Sequence, residues 1–241
     1  MPKDSTSSMS MTGRLRAALF CAAATWLSGC STGDTSPLGA SLGAIVSGGG
    51  NVATDAERIP YASLEVSTGG NQSLMVMAYR RGSDTYWQAR DRATVVLREG
   101  RLDATSGFEQ DLLGVKVEGQ EASAELPWQN AATTPQRYRL TAQWQQQDSV
   151  RHSAVGAATL QCDTATQTVA LSLTTRMLQR CIETVDWGRD GRTRNVFWRD
   201  PGDMRIWAAT ETPRPGGERF EWRIARPWWP AQMPPVPDQG S

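Results

Sequence analysis

The 241-residue sequence has one histidine, His152, and two lysines, Lys3 and Lys116, among its 25 basic residues. A single imidazole excludes a metal centre built from several histidines. It also leaves a Ser-His-Asp triad with one candidate base, which sits in the strand-like Arg151-His152-Ser153 with no nucleophile motif beside it. The formal net charge is zero, so the basic excess of a nucleic-acid binder is missing. Beyond the N-terminal segment, no stretch approaches the roughly 18 consecutive apolar residues of a transmembrane helix.

What the sequence does have starts with Arg14 and Arg16, an apolar run over 17–27 and the box Leu27-Ser28-Gly29-Cys30. A basic region, a short apolar core and small residues before a cysteine form an export signal of the lipoprotein type. The mature chain is expected to begin at Cys30, whose thiol carries the lipid, with residues 1–29 removed and Met9 or Met11 as alternative starts. The competing reading makes 17–27 a buried helix and Cys30 a core thiol. Two or three acyl chains would hold the protein firmly on a bilayer, since each buried methylene contributes about 0.8 kcal/mol. Ser31 is not the aspartate that retains such proteins at an inner membrane, which points to the periplasmic side of an outer membrane.

From Cys30 to residue 57 the chain is mostly Ser, Thr, Gly and Ala, including Ser47-Gly48-Gly49-Gly50, and reads as a flexible tether. A domain is expected over 58–227, followed by a proline-rich extended tail over 228–241. Within the domain the apolar period is two. In 137–145, Tyr138, Leu140, Ala142 and Trp144 share one face, while Arg137, Arg139, Thr141, Gln143 and Gln145 share the other. Similar runs occupy 62–66, 73–79, 85–89, 94–98, 150–161, 168–173 and 182–187. Turn sequences such as Gly69-Gly70-Asn71 and Glu99-Gly100 separate them, and a helix fits only briefly, around 108–113. These features predict an all-β fold, an antiparallel meander forming a barrel-like or sandwich domain.

Cys21 leaves with the signal and Cys30 is lipidated, so Cys162 and Cys181 remain. In an oxidising compartment this pair is most simply a disulfide, since neither a zinc site nor a catalytic thiol has partners nearby. No metal or cofactor is expected. Carboxylate pairs offer the remaining route to catalysis, as in glycoside hydrolysis: Asp186 with Asp190, and Asp200 with Asp203. All four lie in glycine-containing turns, where aspartate commonly bonds its own backbone. Tryptophans crowd the C-terminal quarter. Trp187, Trp198, Trp207 and Trp222 fall in strand-like runs suited to a core, whereas Trp228 and Trp229, in the proline-rich tail, are candidate binding residues for a glycan or a protein. Arg189, Arg192, Arg194, Arg199 and Arg205 surround the same turns, with the aspartates interspersed.

Several of these segments together resemble a known family. Ile59-Pro60-Tyr61-Ala62-Ser63-Leu64, the apolar 74–78, Tyr86-Trp87-Gln88-Ala89-Arg90-Asp91, Val95-Val96-Leu97-Arg98 and Gly100-Arg101-Leu102 look like the N-terminal half of the group 4 capsule and exopolysaccharide lipoproteins (YjbF/GfcB type). Asn195-Val196-Phe197-Trp198-Arg199-Asp200-Pro201, Ile206-Trp207 and Ala225-Arg226-Pro227 resemble that family's C-terminal elements. Ala208-Ala209-Thr210 departs from its usual Ser and Gln, and 118–167 carries little of the likeness. The resemblance implies a non-catalytic, lipid-anchored accessory in export or assembly of a surface polysaccharide. Its expected partners are an outer-membrane β-barrel protein and polysaccharide-export proteins, with a glycan as a further candidate. A periplasmic polysaccharide-modifying enzyme using a carboxylate pair is the alternative.

Overall fold

Alternation at period two sends successive side chains to opposite faces, and one sheet curls around the apolar face. The computed structural model describes residues 52–118, 126–129, 134–146 and 150–230. Among the described residues a helix, α1 (Val52–Arg58), precedes twelve strands. They are β1 (Ser63–Thr68), β2 (Asn71–Arg81), β3 (Asp84–Gln88), β4 (Thr94–Arg98), β5 (Arg101–Ser106), β6 (Asp111–Val117), β7 (Gln136–Gln145), β8 (Arg151–Ala170), β9 (Thr175–Asp186), β10 (Arg192–Arg199), β11 (Ile206–Glu211) and β12 (Phe220–Arg226). The expected antiparallel meander is present, as a single nearly closed sheet of order β5-β4-β3-β2-β1-β12-β11-β10-β9-β8-β7-β6. Pairing of β1 with β12, from Ser63↔Arg226 to Thr68↔Phe220, joins the two ends of the meander.

A seam remains between β5 and β6, where side chains replace the backbone ladder. Asp103 accepts the Val115 N–H at 3.2 Å, and the Thr105 hydroxyl accepts the Leu112 N–H at 2.8 Å. Asp111 accepts the N–H groups of Gly107 and Phe108, shaping the turn between the two strands. Donors that would otherwise form a sticky sheet edge are thereby occupied. This region corrects the helix expected around 108–113, which is a bend leading into β6.

In β7 the buried residues are Leu140, Ala142 and Trp144, with Tyr138 half-buried on the same face. Ten consecutive pairs fix the β7–β8 hairpin, from Gln136↔Leu160 to Gln145↔Arg151. The 168–173 segment is not a strand of its own. β8 runs through Ala170 and turns at 171–174, where Leu171 N–H meets Thr174 O at 2.8 Å. That hairpin sets Cys162 directly opposite Cys181, with Cα atoms 3.9 Å apart, and the two are joined by a disulfide. Gly156 of β8 permits a close approach, for a Cβ there would lie 2.4 Å from Val185 Cγ1 and 2.8 Å from Trp187 Cε3.

An eight-stranded barrel is just wide enough for side chains to fill it, so this wider sheet needs larger occupants. Trp87, Trp207, Trp222 and Phe197 are almost fully buried, as the core reading of Trp207 and Trp222 required, and Trp187 is buried while Trp198 packs partly exposed. The segment 126–129 also contributes Trp128 to the core. Arg199 donates to the Trp128 carbonyl at 2.7 Å, and Trp128 Nε1 donates to the Glu99 carbonyl at 3.2 Å.

Residues just outside both limits assigned to the domain pack with it. Helix α1 occupies 52–58, so the last residues of the stretch assigned to the tether are helical. Arg226 donates to the carbonyls of Ile59 and Ala56, tying α1 to the end of β12. At the other limit, Trp228 and Trp229 pack against the core instead of extending away in a tail.

Candidate functional site

Three of the four turn aspartates, Asp186, Asp200 and Asp203, are engaged locally. Asp186 accepts the Gly188 N–H at 2.9 Å and pairs with Arg192 at 2.9 Å. These contacts, the backbone hydrogen bond foremost, hold its carboxyl below the usual range. Asp200 accepts the Gly202 N–H at 2.8 Å and pairs with Arg176, while Asp203 accepts the Arg205 N–H at 3.0 Å and pairs with Arg205. Asp190 lies in an exposed 3-10 turn, Gly188–Asp190. Asp186, Asp200 and Asp203 therefore each cap a backbone N–H of their own turn, as the local reading expected. The nearby arginines divide likewise: Arg192 and Arg205 are paired, Arg189 and Arg194 are exposed, and Arg199 is buried.

A different pair of carboxylates meets inside the barrel. Arg101 of β5 donates to both oxygens of Glu183 of β9, at 2.8 Å each, and its Nε lies 3.4 Å from Glu211 of β11. Glu183 also accepts from Asn195 at 2.6 Å and from the Tyr138 hydroxyl. Glu211 accepts from Trp222 Nε1 and the Leu102 N–H, both at 3.0 Å. The Arg101 guanidinium lies over Trp128 and Phe197, 4.6 and 4.5 Å from the ring centroids. Burial opposes the Arg101 charge, but Glu183, Tyr138 and Glu211 outweigh it and raise its pKa. Burial raises Glu211, and burial followed by the Glu183 charge raises Tyr138 well above the usual phenol value.

This cluster was missed in the sequence, although Glu183 occupies the inward parity of Cys181 and Val185. Arg101 follows the Glu99-Gly100 turn and so resembles a surface residue. Glu183 and Glu211 are both essentially inaccessible, with relative exposures of 0%. Their chemistry is internal, because every oxygen faces a protein donor and the paired charges are sealed in.

The open site lies at the end of the barrel carrying the turns β2–β3, β4–β5 and β10–β11. A cavity of about 520 Å³ there is lined by Thr85, Glu99, Gln129, Arg205, Trp228 and Trp229, among others. Pro227 follows β12, the chain bends, and the two indoles fold back onto the sheet. Their ring centroids are 4.3 Å apart and their planes meet at 81°. Trp228 packs edge-on to Trp87 at 5.4 Å, and Trp229 to Trp207 at 5.0 Å. Arg205 lies 4.9 Å from the centroid of Trp229, and Arg176 3.9 Å from that of Trp207. The candidate binding residues are thus adjacent and half-buried in a cavity wall.

His152 stacks on Trp144 at 5.5 Å and 16°, away from any nucleophile motif. Among the described residues, no group of three or more His, Cys, Asp or Glu side chains is placed to hold a metal ion. Nor is any helix there long and apolar enough to cross a membrane. Cys30 lies outside the described residues.

Comparison with known proteins agrees with this architecture. A family model described as group 4 capsule polysaccharide lipoprotein, gfcB and YjbF, matches residues 48–221. The crystal structure of the hypothetical lipoprotein YmcC from Escherichia coli K12 is similar in fold, with a TM-score of 0.63 at 19% identity. The similarity covers 92% of this chain and 98% of that one. No curated protein matches the sequence.

Proposed function

Because this chain belongs to the group 4 capsule polysaccharide lipoprotein family, we propose that it is a non-catalytic accessory in export or assembly of a capsule or exopolysaccharide. Lipid on Cys30 would hold it on the periplasmic face of the outer membrane. It would work there with an outer-membrane β-barrel protein and polysaccharide-export proteins, offering the Trp228–Trp229 end of the barrel for contact.

One contrast carries this reading: the acids are engaged within the fold, and the aromatic residues face the open cavity. A glycosidase needs two carboxyl groups facing each other across an accessible cleft, about 5 to 9.5 Å apart. Here Asp186, Asp200 and Asp203 bond to their own turns, and Glu183 and Glu211 are shut inside around Arg101. The accessible cavity has indoles in its wall, and the two carboxylates that line it with them, Glu99 and Asp203, are engaged by Gln129 and by Arg205.

Deleting the gene tests the proposal. Surface polysaccharide is expected to fall while the composition of its repeat unit stays unchanged, since an accessory moves the polymer and an enzyme alters it. Cleavage or modification of the polymer by the purified protein would favour the enzyme reading. For the anchor, mass spectrometry should find an acylated Cys30 at the mature N-terminus, and an unmodified terminus would remove that part of the proposal.

A further inference from the structure

We propose that the cavity beside Trp228 and Trp229 is a saccharide site that takes a short pyranose segment by its ring face and hydroxyl groups, with charge playing little part. The inference deepens the accessory reading and rests on it for the source of the saccharide.

Size and shape are the first argument. A volume of about 520 Å³ falls within the usual range for small-molecule pockets, roughly 300–1,000 Å³. Two indoles at 81° make a corner, and Trp87 and Trp207 support it from behind. Such rings are held before a ligand arrives, so little ordering entropy opposes binding. The C–H face of a pyranose is apolar and matches an indole surface, while its rim of hydroxyls needs donors and acceptors.

The polar lining answers that second need. Ser83, Gln129 and Glu99 present a hydroxyl, an amide and a carboxylate, and Gln129 is fixed by a 2.9 Å bond to Glu99. A wholly apolar ligand would desolvate these groups without replacing their bonds to water. A peptide joining as an added strand needs a free sheet edge, but hairpin turns form these walls.

Charge then narrows the ligand. Arg80 and Arg205 are balanced by Glu99 and Asp203 around the cavity, and Arg205 pairs with Asp203 at 3.3 Å. A polyanion would meet both carboxylates as well as both guanidinium groups. Planar charged groups of both signs suit a ligand that is donor and acceptor at each hydroxyl.

The probe is a set of oligosaccharides released by mild acid hydrolysis from the source cell's own surface polysaccharide. Isothermal titration against the full-length mature lipoprotein in detergent should give saturable binding. Affinity should change less than about threefold between roughly 0.05 and 0.3 M salt, because surface ion pairs weaken over that range and stacking does not. Trp228→Ala should weaken binding at least thirtyfold, the effect of losing a central aromatic contact. Since Trp228 also packs on Trp87, Ser83→Trp is the second variant. It sits on an exposed turn at the cavity, leaves the core untouched, and should reduce affinity at least tenfold with an unchanged melting temperature.

No saturable binding by folded protein, unchanged affinity in Ser83→Trp, a steep salt dependence, or binding of a proline-rich peptide but no saccharide would each overturn the proposal. The accessory reading fails separately. If deletion lowers surface polysaccharide but the purified protein binds no fragment, the role stands and the site falls. If fragments bind but deletion leaves export intact, the site stands and the role falls.

Discussion

Arg101 and Glu183 form a two-pronged ion pair across the barrel interior, 2.8 Å at each oxygen. Eight strand positions separate their strands along the sheet. With Glu211, Tyr138 and Asn195 they link β5, the strand at the seam, to the opposite wall. Removing one partner of a buried pair leaves an uncompensated charge, at a cost of about 3–5 kcal/mol. Arg101→Met should therefore destabilise the protein by about that amount in urea unfolding. The triple change Arg101→Met, Glu183→Gln and Glu211→Gln should recover much of the loss, because no buried charge then lacks a partner. Equal stability of wild type and Arg101→Met would contradict this account.

The pH dependence follows from the same cluster. Burial raises the Glu211 carboxyl above its ordinary 4.5, so folding favours its protonated form. That contribution is complete below 4.5 and is lost as pH rises through the folded value. Asp103 acts in the same sense through burial, with Arg98 opposing. Asp186 and Glu118 are exposed and held low, so they act in the opposite sense, at pH values below the ordinary carboxylate range. The melting temperature should hold or rise as pH is lowered toward 4.5, and Glu211→Gln should flatten that slope. Calorimetry showing the same slope in wild type and variant would rule out Glu211 as its source.

How far the fold could be read in the sequence depended on whether the alternation was intact. Residues 137–145 kept strict parity and became β7, whereas β6 was missed because a register shift between Leu112 and Gly114 breaks its period. Trp228 and Trp229 resembled a tail because prolines flank them, and proline does end the strand there. What sequence could not supply was the tertiary contact with Trp87 and Trp207 that folds them back. Their double change to Ala is consequently no mild probe of binding, since it removes core packing as well.

Gly156 offers a steric test. A Cβ at that position would lie 2.4 Å from Val185 Cγ1, closer than any packing allows without movement. Gly156→Ala should cost about 1–3 kcal/mol as overpacking. Gly114→Ala is the control, since a Cβ there meets nothing within 4 Å. Val185→Ala in the Gly156→Ala background should return part of the lost stability if the contact is the cause.

The disulfide between Cys162 and Cys181 spans a sequence separation of 19 residues. Closing a loop of that length stabilises by about 3 kcal/mol in the chain-entropy model. The double change of Cys162 and Cys181 to Ala should lower the melting temperature by about 6–12 °C for a domain of this size. Surface polysaccharide should then fall only in proportion to protein abundance. Non-reducing peptide mapping of protein taken from cells should recover the two cysteines on one linked peptide, and two free thiols would refute the bridge.

The turn aspartates distinguish binding from catalysis most directly. Asp186 and Asp203 each accept a backbone N–H and pair with a neighbouring arginine, while Asp200 does the same through Gly202 and Arg176. Asparagine keeps the acceptor oxygen of such a turn, so the backbone geometry survives and only the ion pair is lost. The exposed Asp186–Arg192 pair contributes little, and the partly buried Asp200–Arg176 pair somewhat more. Asp186→Asn, Asp190→Asn and Asp200→Asn, which lie outside the cavity lining, should each leave abundance and surface polysaccharide near wild-type levels. A catalytic carboxylate behaves differently, because changing it typically reduces turnover by orders of magnitude while the fold persists. If one of these three variants accumulates normally, stays folded and yet abolishes surface polysaccharide, that aspartate has a chemical or contact role that its turn does not explain. The accessory reading would give way to the enzyme only if the polymer made by that variant also changed in its repeat unit.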